Sequence, residues 1–161
     1  QPALFGAPQT QLTSDDYYTP SWVFDRMGLE FDLDVCAPPG GIPWIPAKRY
    51  FTMEADGLAQ EWTGRVWMNP PFSGSSAWVD RFIHHANGVC LLPHSRARWH
   101  GRLWASGAAL ADPNGTNDAS MFMFMRGGVP TNIYMPVFVA AFGAECVEAI
   151  SRIGVVRTVA A

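Results

Sequence analysis

Residues 65–72 read Arg65-Val66-Trp67-Met68-Asn69-Pro70-Pro71-Phe72. Val66, Trp67 and Met68 form a short continuous apolar run, the pattern of a buried strand. The prolines stop it, because each lacks the N–H that a sheet ladder needs and each holds its own φ fixed. A strand that ends this way delivers the Asn69 amide, the Pro70 carbonyl and the Phe72 ring to one point.

Outward from that turn, the chain alternates strand and helix patterns. Upstream, Ser21 to Met27 reads as a short helix with Pro20 near its first turn and Gly28 at its end. Phe31 to Ala37 alternates and reads as a strand, and residues 38–50 form a Pro/Gly-rich loop. Downstream, Ser75 to Ala86 carries Trp78, Phe82 and Ile83 at helical spacing and ends at Asn87-Gly88. Strands follow at Val89–Leu92, at Ala108–Ala111 before an Asp112-Pro113-Asn114-Gly115 turn, and at Met121–Met125. A Gly127-Gly128-Val129-Pro130 turn leads to another strand around Pro136–Ala140. Helices are expected at 96–106 and at Ala144–Ile153, and a last strand at Val155–Val159. Alternation of this kind predicts an α/β layer fold with a mostly parallel sheet and an antiparallel strand near the C-terminus. In such sheets ligands bind beyond the carboxyl ends of the strands, where Cys36-Ala37 and Asn69-Pro70 both stand.

The bulk composition sets limits on this reading. At 161 residues, with 48% hydrophobic residues and seven Trp, the chain fits one globular domain over residues 15–161. Residues 1–14 have no periodicity and read as a flexible lead-in. No apolar run approaches a membrane span, and no charged-then-apolar leader is visible. Three cysteines, Cys36, Cys90 and Cys146, lie in apolar runs without a C-x-x-C pair, so buried thiols and a reducing, cytoplasmic setting are expected. A net charge of -3 argues against a protein that coats nucleic acid by charge alone. The basic residues cluster, however: Arg96, Arg98 and Arg102 lie with His94 and His100 around Trp99 and Trp104.

The chemistry of the Asn-Pro-Pro-Phe turn follows from its groups. An exocyclic amine such as adenine N6 is a poor nucleophile, because its lone pair is delocalised into the ring. Acceptance of its two hydrogens by Asn69 Oδ1 and the Pro70 carbonyl localises that lone pair on nitrogen. This is positioning with electrostatic stabilisation and needs no strong base. Stacking of Phe72 on the base contributes about 1–3 kcal/mol.

Several further elements stand in order around the turn: Tyr18-Thr19-Pro20, Asp34-Val35-Cys36-Ala37, Tyr50-Phe51-Thr52, Asp56-Gly57-Leu58 and Trp62 before it, Trp78-Val79 and Leu91-Leu92-Pro93 after it. Together they resemble the phage-type DNA N6-adenine methyltransferases, a Dam-like family. The resemblance runs from Tyr17 to Leu92 and more loosely to about Ile150, and Asn69, Pro70, Pro71 and Phe72 match the family's catalytic signature.

The resemblance implies a single Rossmann-like methyltransferase domain, S-adenosylmethionine as methyl donor and DNA as substrate, in a phage- or prophage-encoded protein of the bacterial cytoplasm. It implies that Tyr18, Thr19 and Pro20 hold the methionine end of the cofactor and that Asp34, at the end of the first strand, is a cofactor acid beside Cys36 and Ala37. It also implies that Asp56 accepts from the cofactor's adenine and that Asn69 borders both ligands. The segment after Asp34 is not the spaced-glycine loop of many methyltransferases, so Asp32, Asp34 and Glu54 all remain open as the ribose acid. The motif alone also serves cytosine N4, an RNA adenine or a glutamine amide, and a domain that binds without turnover is a further reading.

DNA contact is expected at Arg96, Arg98 and His100, since a target base must be drawn out of the helix stack. No metal is expected: His84 and His85 are adjacent and diverge on a helix, and His94 and His100 lack a partner at ligand spacing.

Overall fold

Trp67 is wholly buried and lies in a seven-stranded sheet in the computed structural model, which describes residues 17–113, 122–131 and 135–159. The lead of residues 1–14 and the Asn114-Gly115 half of the expected turn lie outside the described residues. In chain order the main elements begin with α1 (Ser21–Met27), β1 (Leu33–Ala37), β2 (Tyr50–Thr52), β3 (Val66–Met68), α2 (Ser75–His85) and β4 (Gly88–Pro93). There follow α3 (Arg98–Ala105), β5 (Ala109–Ala111), β6 (Phe124–Arg126), β7 (Val129–Thr131), β8 (Val137–Phe142), α4 (Ala144–Ser151) and β9 (Val156–Arg157).

The sheet runs β2-β1-β3-β4-β8-β5-β9. Strands β2, β1, β3 and β4 pair in parallel, whereas β8 is antiparallel to both β4 and β5, and β9 is antiparallel to β5. Five strands therefore point one way and two the other, a mostly parallel mixed sheet with two reversed strands where one was expected. Since β2 and β3 lie on opposite sides of β1, the order reverses there, and a crevice opens beyond the carboxyl ends of β1 and β3.

Alternation along the strands divides the interior into two apolar layers. Phe31, Trp67, Val89, Leu91 and Val139 face α1 and α4, where they meet Val23, Phe24, Met27 and Ile150. Leu33, Val35, Val66, Met68, Cys90 and Leu92 face α2 and α3, where they meet Val79, Phe82, Trp99 and Leu103. Trp67 packs edge-on against Phe24 at 4.8 Å between ring centres, so truncation to Ala is expected to cost about 3–5 kcal/mol.

Three details differ from the sequence expectation. Tyr50, placed at the end of a loop, starts strand β2, whose three residues are partly exposed and show no buried alternation to mark them. Residues 124–131 form a separate two-stranded hairpin, β6 with β7, in place of a strand over Met121–Met125; Met121 itself is outside the described residues. Helix α2 ends on Ala86 (φ 54°) rather than at Asn87-Gly88. Gly88 belongs to β4, where a Cβ would stand 2.2 Å from the Val66 carbonyl oxygen, so the glycine serves strand approach.

Candidate active site

Strand β3 and the turn after it place Asn69 at the mouth of the crevice. Pro71 (φ -54°, ψ 125°) leads into a single 3-10 turn over Phe72–Gly74, which feeds directly into α2. The Pro71 carbonyl accepts from Gly74 N–H at 3.1 Å, whereas the Pro70 carbonyl has no backbone donor among the described residues. Asn69 Nδ2 donates to the Tyr17 carbonyl and to Thr19 Oγ1, each at 3.4 Å, long for such bonds. A carbonyl only accepts, so the Tyr17 contact fixes which end of the amide is NH2. Oδ1 is left as the acceptor end of the amide, and Asn69 and Pro70 both line the cleft.

These groups border a cleft of about 380 Å³. Of the residues expected at the site, Tyr18, Asp34, Cys36, Ala37, Asp56, Asn69, Pro70, Pro71 and Phe72 all line it. Thr19 and Pro20 do not: both are buried behind the wall. Pro20 precedes α1 and its carbonyl accepts from Val23 N–H at 3.2 Å; the Thr19 carbonyl accepts from Trp44 Nε1 at 2.8 Å.

Asp34 is not at the end of the first strand but is its second residue, level with Trp67 of β3 and Tyr50 of β2. Pleating turns it to the Trp67 side, so its carboxylate reaches the cleft from within the sheet. Burial pushes its pKa up to about 7, against a smaller opposing effect from the Cys36 N–H that it accepts at 3.1 Å. The other two acids left open stand elsewhere. Asp32 accepts from Lys48 Nζ at 2.7 Å and Arg65 N–H at 2.9 Å, which hold its carboxyl below the usual range; Glu54 is exposed and does not line the cleft.

Asp56 is exposed in a left-handed conformation (φ 51°, ψ 81°) that ends a 3-10 turn over Met53–Ala55. The next residue, Gly57, presses on β1: a Cβ there would stand 2.1 Å from the Val35 carbonyl oxygen. Trp62 Nε1 donates to the Gly57 carbonyl at 2.8 Å, and the Trp62 ring stacks on Trp78 of α2. Two side chains thus clamp the Asp56-Gly57 corner against the sheet.

Sequence reasoning missed several wall residues, among them Tyr17, Met53, Trp67 and Trp78. Trp78 repeats at helical spacing with Phe82 and reads as core, and only the fold shows that it meets the cleft. Tyr17, its ring 5.9 Å from Phe124 and 5.0 Å from the Arg126 guanidinium, has no local pattern at all.

The expected DNA residues do not line this cleft. Arg96 and Arg98 are exposed beyond the carboxyl end of β4, and neither makes an ion pair among the described residues. His100 borders a separate hollow of about 300 Å³ with His94, Trp104 and Phe138. Burial and the neighbouring His94 lower its pKa. Arg102 is tied to Asp80 at 2.8 Å and to Ser76 at 3.0 Å. Cys90 and Cys146 are buried, while Cys36 is half-buried at the cleft wall. Among the described residues no His, Cys, Asp and Glu group gathers to hold a metal, and no helix is long and apolar enough to cross a membrane.

The comparisons with known proteins agree on one relationship. Residues 8–126 match the family model described as DNA N-6-adenine-methyltransferase (Dam). A DNA N-6-adenine-methyltransferase of Haemophilus phage HP1 (strain HP1c1) is 38% identical over 88 residues, covering 48% of this chain and 49% of the relative. The chain thus spans about half the length of the curated relative it matches. No solved structure matches it significantly.

Proposed function

Because this chain belongs to the DNA N-6-adenine-methyltransferase (Dam) family, we propose that it methylates the N6 amine of adenine in DNA, with S-adenosylmethionine as donor, in a single Rossmann-like domain. The observation that carries the reading is the Asn69 amide, held through its NH2 group, with Oδ1 and the Pro70 carbonyl, which takes no backbone donor among the described residues, both at the cleft.

The cleft suits a nucleoside-bearing cofactor. A buried carboxylate has room for about four hydrogen bonds, yet among the described residues Asp34 accepts one, so it calls for donors such as ribose hydroxyls or an ammonium group. Asp56 at the rim is a second acceptor, suited to an adenine amine, and Tyr18, Cys36 and Ala37 complete the wall between them. S-adenosylmethionine, when bound, supplies an electrophilic methyl group.

The chain's own residues act on the other reactant. Asn69 Oδ1 and the Pro70 carbonyl accept the two N–H bonds of the amine, which draws its lone pair out of the ring plane and aims it into the cleft. The prolines keep those acceptors fixed, so little reorganisation is needed as positive charge grows on nitrogen. Phe72 offers an aromatic face to the base. Arg96, Arg98 and His100 are proposed to steady the DNA backbone while the base is displaced.

Incubation with labelled S-adenosylmethionine and unmethylated DNA, followed by digestion to nucleosides, tests the proposal. Label in N6-methyladenine is the expected result. Label in N4-methylcytosine or only in RNA, or bound cofactor with no transfer, overturns it.

A further inference from the structure

Thr19 stands directly after a cleft residue yet takes no part in the cleft surface: it is wholly buried, with 0% of its surface exposed. A buried hydroxyl needs a partner, and among the described residues Thr19 Oγ1 accepts from Asn69 Nδ2. We propose that Thr19 is a positioning residue for Asn69, anchoring the NH2 end of its amide behind the cleft wall so that the side chain keeps its place at the mouth. This rests on the methyltransferase reading.

The two ends of an amide offer opposite hydrogen-bonding roles. The terminal torsion of Asn is broad and close to two-fold, so Oδ1 and Nδ2 exchange places at little intrinsic cost. In the flipped state Nδ2 would face an amine that already offers two hydrogens, donor against donor, and the localising acceptor would be gone. The Tyr17 carbonyl opposes that flip, whereas the Thr19 hydroxyl, able to accept or donate, anchors the amide in place. The Tyr17 carbonyl and Thr19 Oγ1 each accept from Nδ2 at 3.4 Å. A flipped Oδ1 would meet the Tyr17 carbonyl oxygen, which has no hydrogen to give.

The Thr19 backbone is itself braced. Trp44 Nε1 donates to its carbonyl at 2.8 Å, and Trp44 follows loop residues Pro38, Pro39 and Ile42, which line the cleft. On the other side Tyr18 is fastened to the β6–β7 hairpin by paired bonds with Met125, each 2.8 Å. The Thr19 backbone is therefore held from both neighbouring segments, which fixes where its side chain starts.

The test compares Thr19→Val, which keeps the shape and removes the hydroxyl, with Thr19→Ser, which keeps the hydroxyl. Cofactor affinity is read by calorimetry with S-adenosylmethionine, turnover on unmethylated DNA, and the Asn69 side-chain NH2 signals by NMR. Thr19→Val is expected to lower kcat roughly 10- to 100-fold, to leave the S-adenosylmethionine Kd within about twofold, and to shift or exchange-broaden the Asn69 NH2 pair. Thr19→Ser recovers most of kcat, and Trp44→Phe gives a smaller loss of the same kind. Loss of cofactor affinity with kcat retained would make Thr19 a cofactor ligand and overturn the inference. Unchanged Asn69 signals in Thr19→Val overturn it whether or not the parent turns over. A parent that binds cofactor and never yields N6-methyladenine is the separate failure of the methyltransferase reading.

Discussion

The Asp34 carboxylate accepts the Cys36 backbone N–H at 3.1 Å from within a wall that leaves 3% of the residue exposed. That one bond does not offset the loss of water, and the carboxyl pKa rises from 3.8 to about 7. The protonated acid is therefore the form the fold favours, and the carboxylate is held at a cost.

Linkage gives that cost a pH signature. The native state holds a proton on Asp34 between pH 3.8 and about 7 that the unfolded chain has released, so stability falls as pH rises through that window. The full effect is on the order of 4 kcal/mol, at about 1.4 kcal/mol per pKa unit. Asp34→Asn should be the more stable protein at pH 8 and should lose the dependence, as read from denaturant midpoints at pH 5 and pH 8. Cofactor binding should run the other way. An ammonium or hydroxyl donor prefers the ionised acid, so S-adenosylmethionine affinity should rise through pH 7 in the parent and stay flat in Asp34→Asn. A parent with the same affinity at pH 6 and pH 8 would remove Asp34 from the cofactor contacts.

Asn69 and Asp56 should separate turnover from binding. Asn69→Ala removes one of the two acceptors for the amine and is expected to abolish detectable transfer, with cofactor affinity nearly unchanged. Asp56→Ala should do the reverse, raising the Kd for S-adenosylmethionine roughly 10-fold or more while much of kcat at saturating cofactor survives. Calorimetry and single-turnover rates distinguish the two, and a large affinity loss in Asn69→Ala would make that residue cofactor-facing.

These residues differ in how far the sequence announced them. Asn69 was legible because a three-residue apolar run stops on two prolines, a local pattern that dictates both the strand and the turn. Asp56 and Asp34 were legible only through order and resemblance, and that Asp34 lines the cleft while Asp32 and Glu54 do not is seen only in the fold. Tyr17 and Met53 carry no local signal and Trp78 reads locally as core, because they become neighbours only when α2 and the Met53–Ala55 turn close on β1. The β1–β2 pairing was hidden for a related reason. Tyr50–Thr52 is a short edge strand without a buried face, so its three residues lack the alternation by which strands are read.

Two glycines offer a contrast in packing. At Gly57 a Cβ would meet the Val35 carbonyl oxygen at 2.1 Å and the Trp78 ring at 3.1 Å, so Gly57→Ala must displace the Asp56 corner from β1. A loss of about 1–3 kcal/mol is expected, with weaker S-adenosylmethionine binding alongside. Gly101 lies within α3 with nothing within 4 Å of its would-be Cβ, and Gly101→Ala should gain about 0.5–1 kcal/mol from helix propensity alone. Thermal melts of the two variants should move in opposite directions.

Charge on DNA should be read at Arg96 and Arg98 and not at Arg102. Strand β4 lies beside β3 in parallel register, with Met68 level with Cys90, so the segment after Pro93 leaves the same edge of the sheet as the Asn69 turn. Arg96 and Arg98 stand on that segment, exposed and outside the ion pairs of the described residues. Arg102 lies further into α3 and is already engaged by Asp80 and Ser76. On B-DNA, removal of one phosphate-neutralising cation reduces the steepness of log K against log salt by about 0.9. Arg96→Ala and Arg98→Ala should therefore each flatten that slope by about 1 over roughly 50–200 mM salt, weakening binding to all sequences alike. Arg102→Ala should leave the slope unchanged and cost at most about 1 kcal/mol of stability, as befits an exposed ion pair. Equal slopes in the parent, Arg96→Ala and Arg98→Ala would exclude this segment from the DNA path and leave the phosphate contacts to other edges of the cleft.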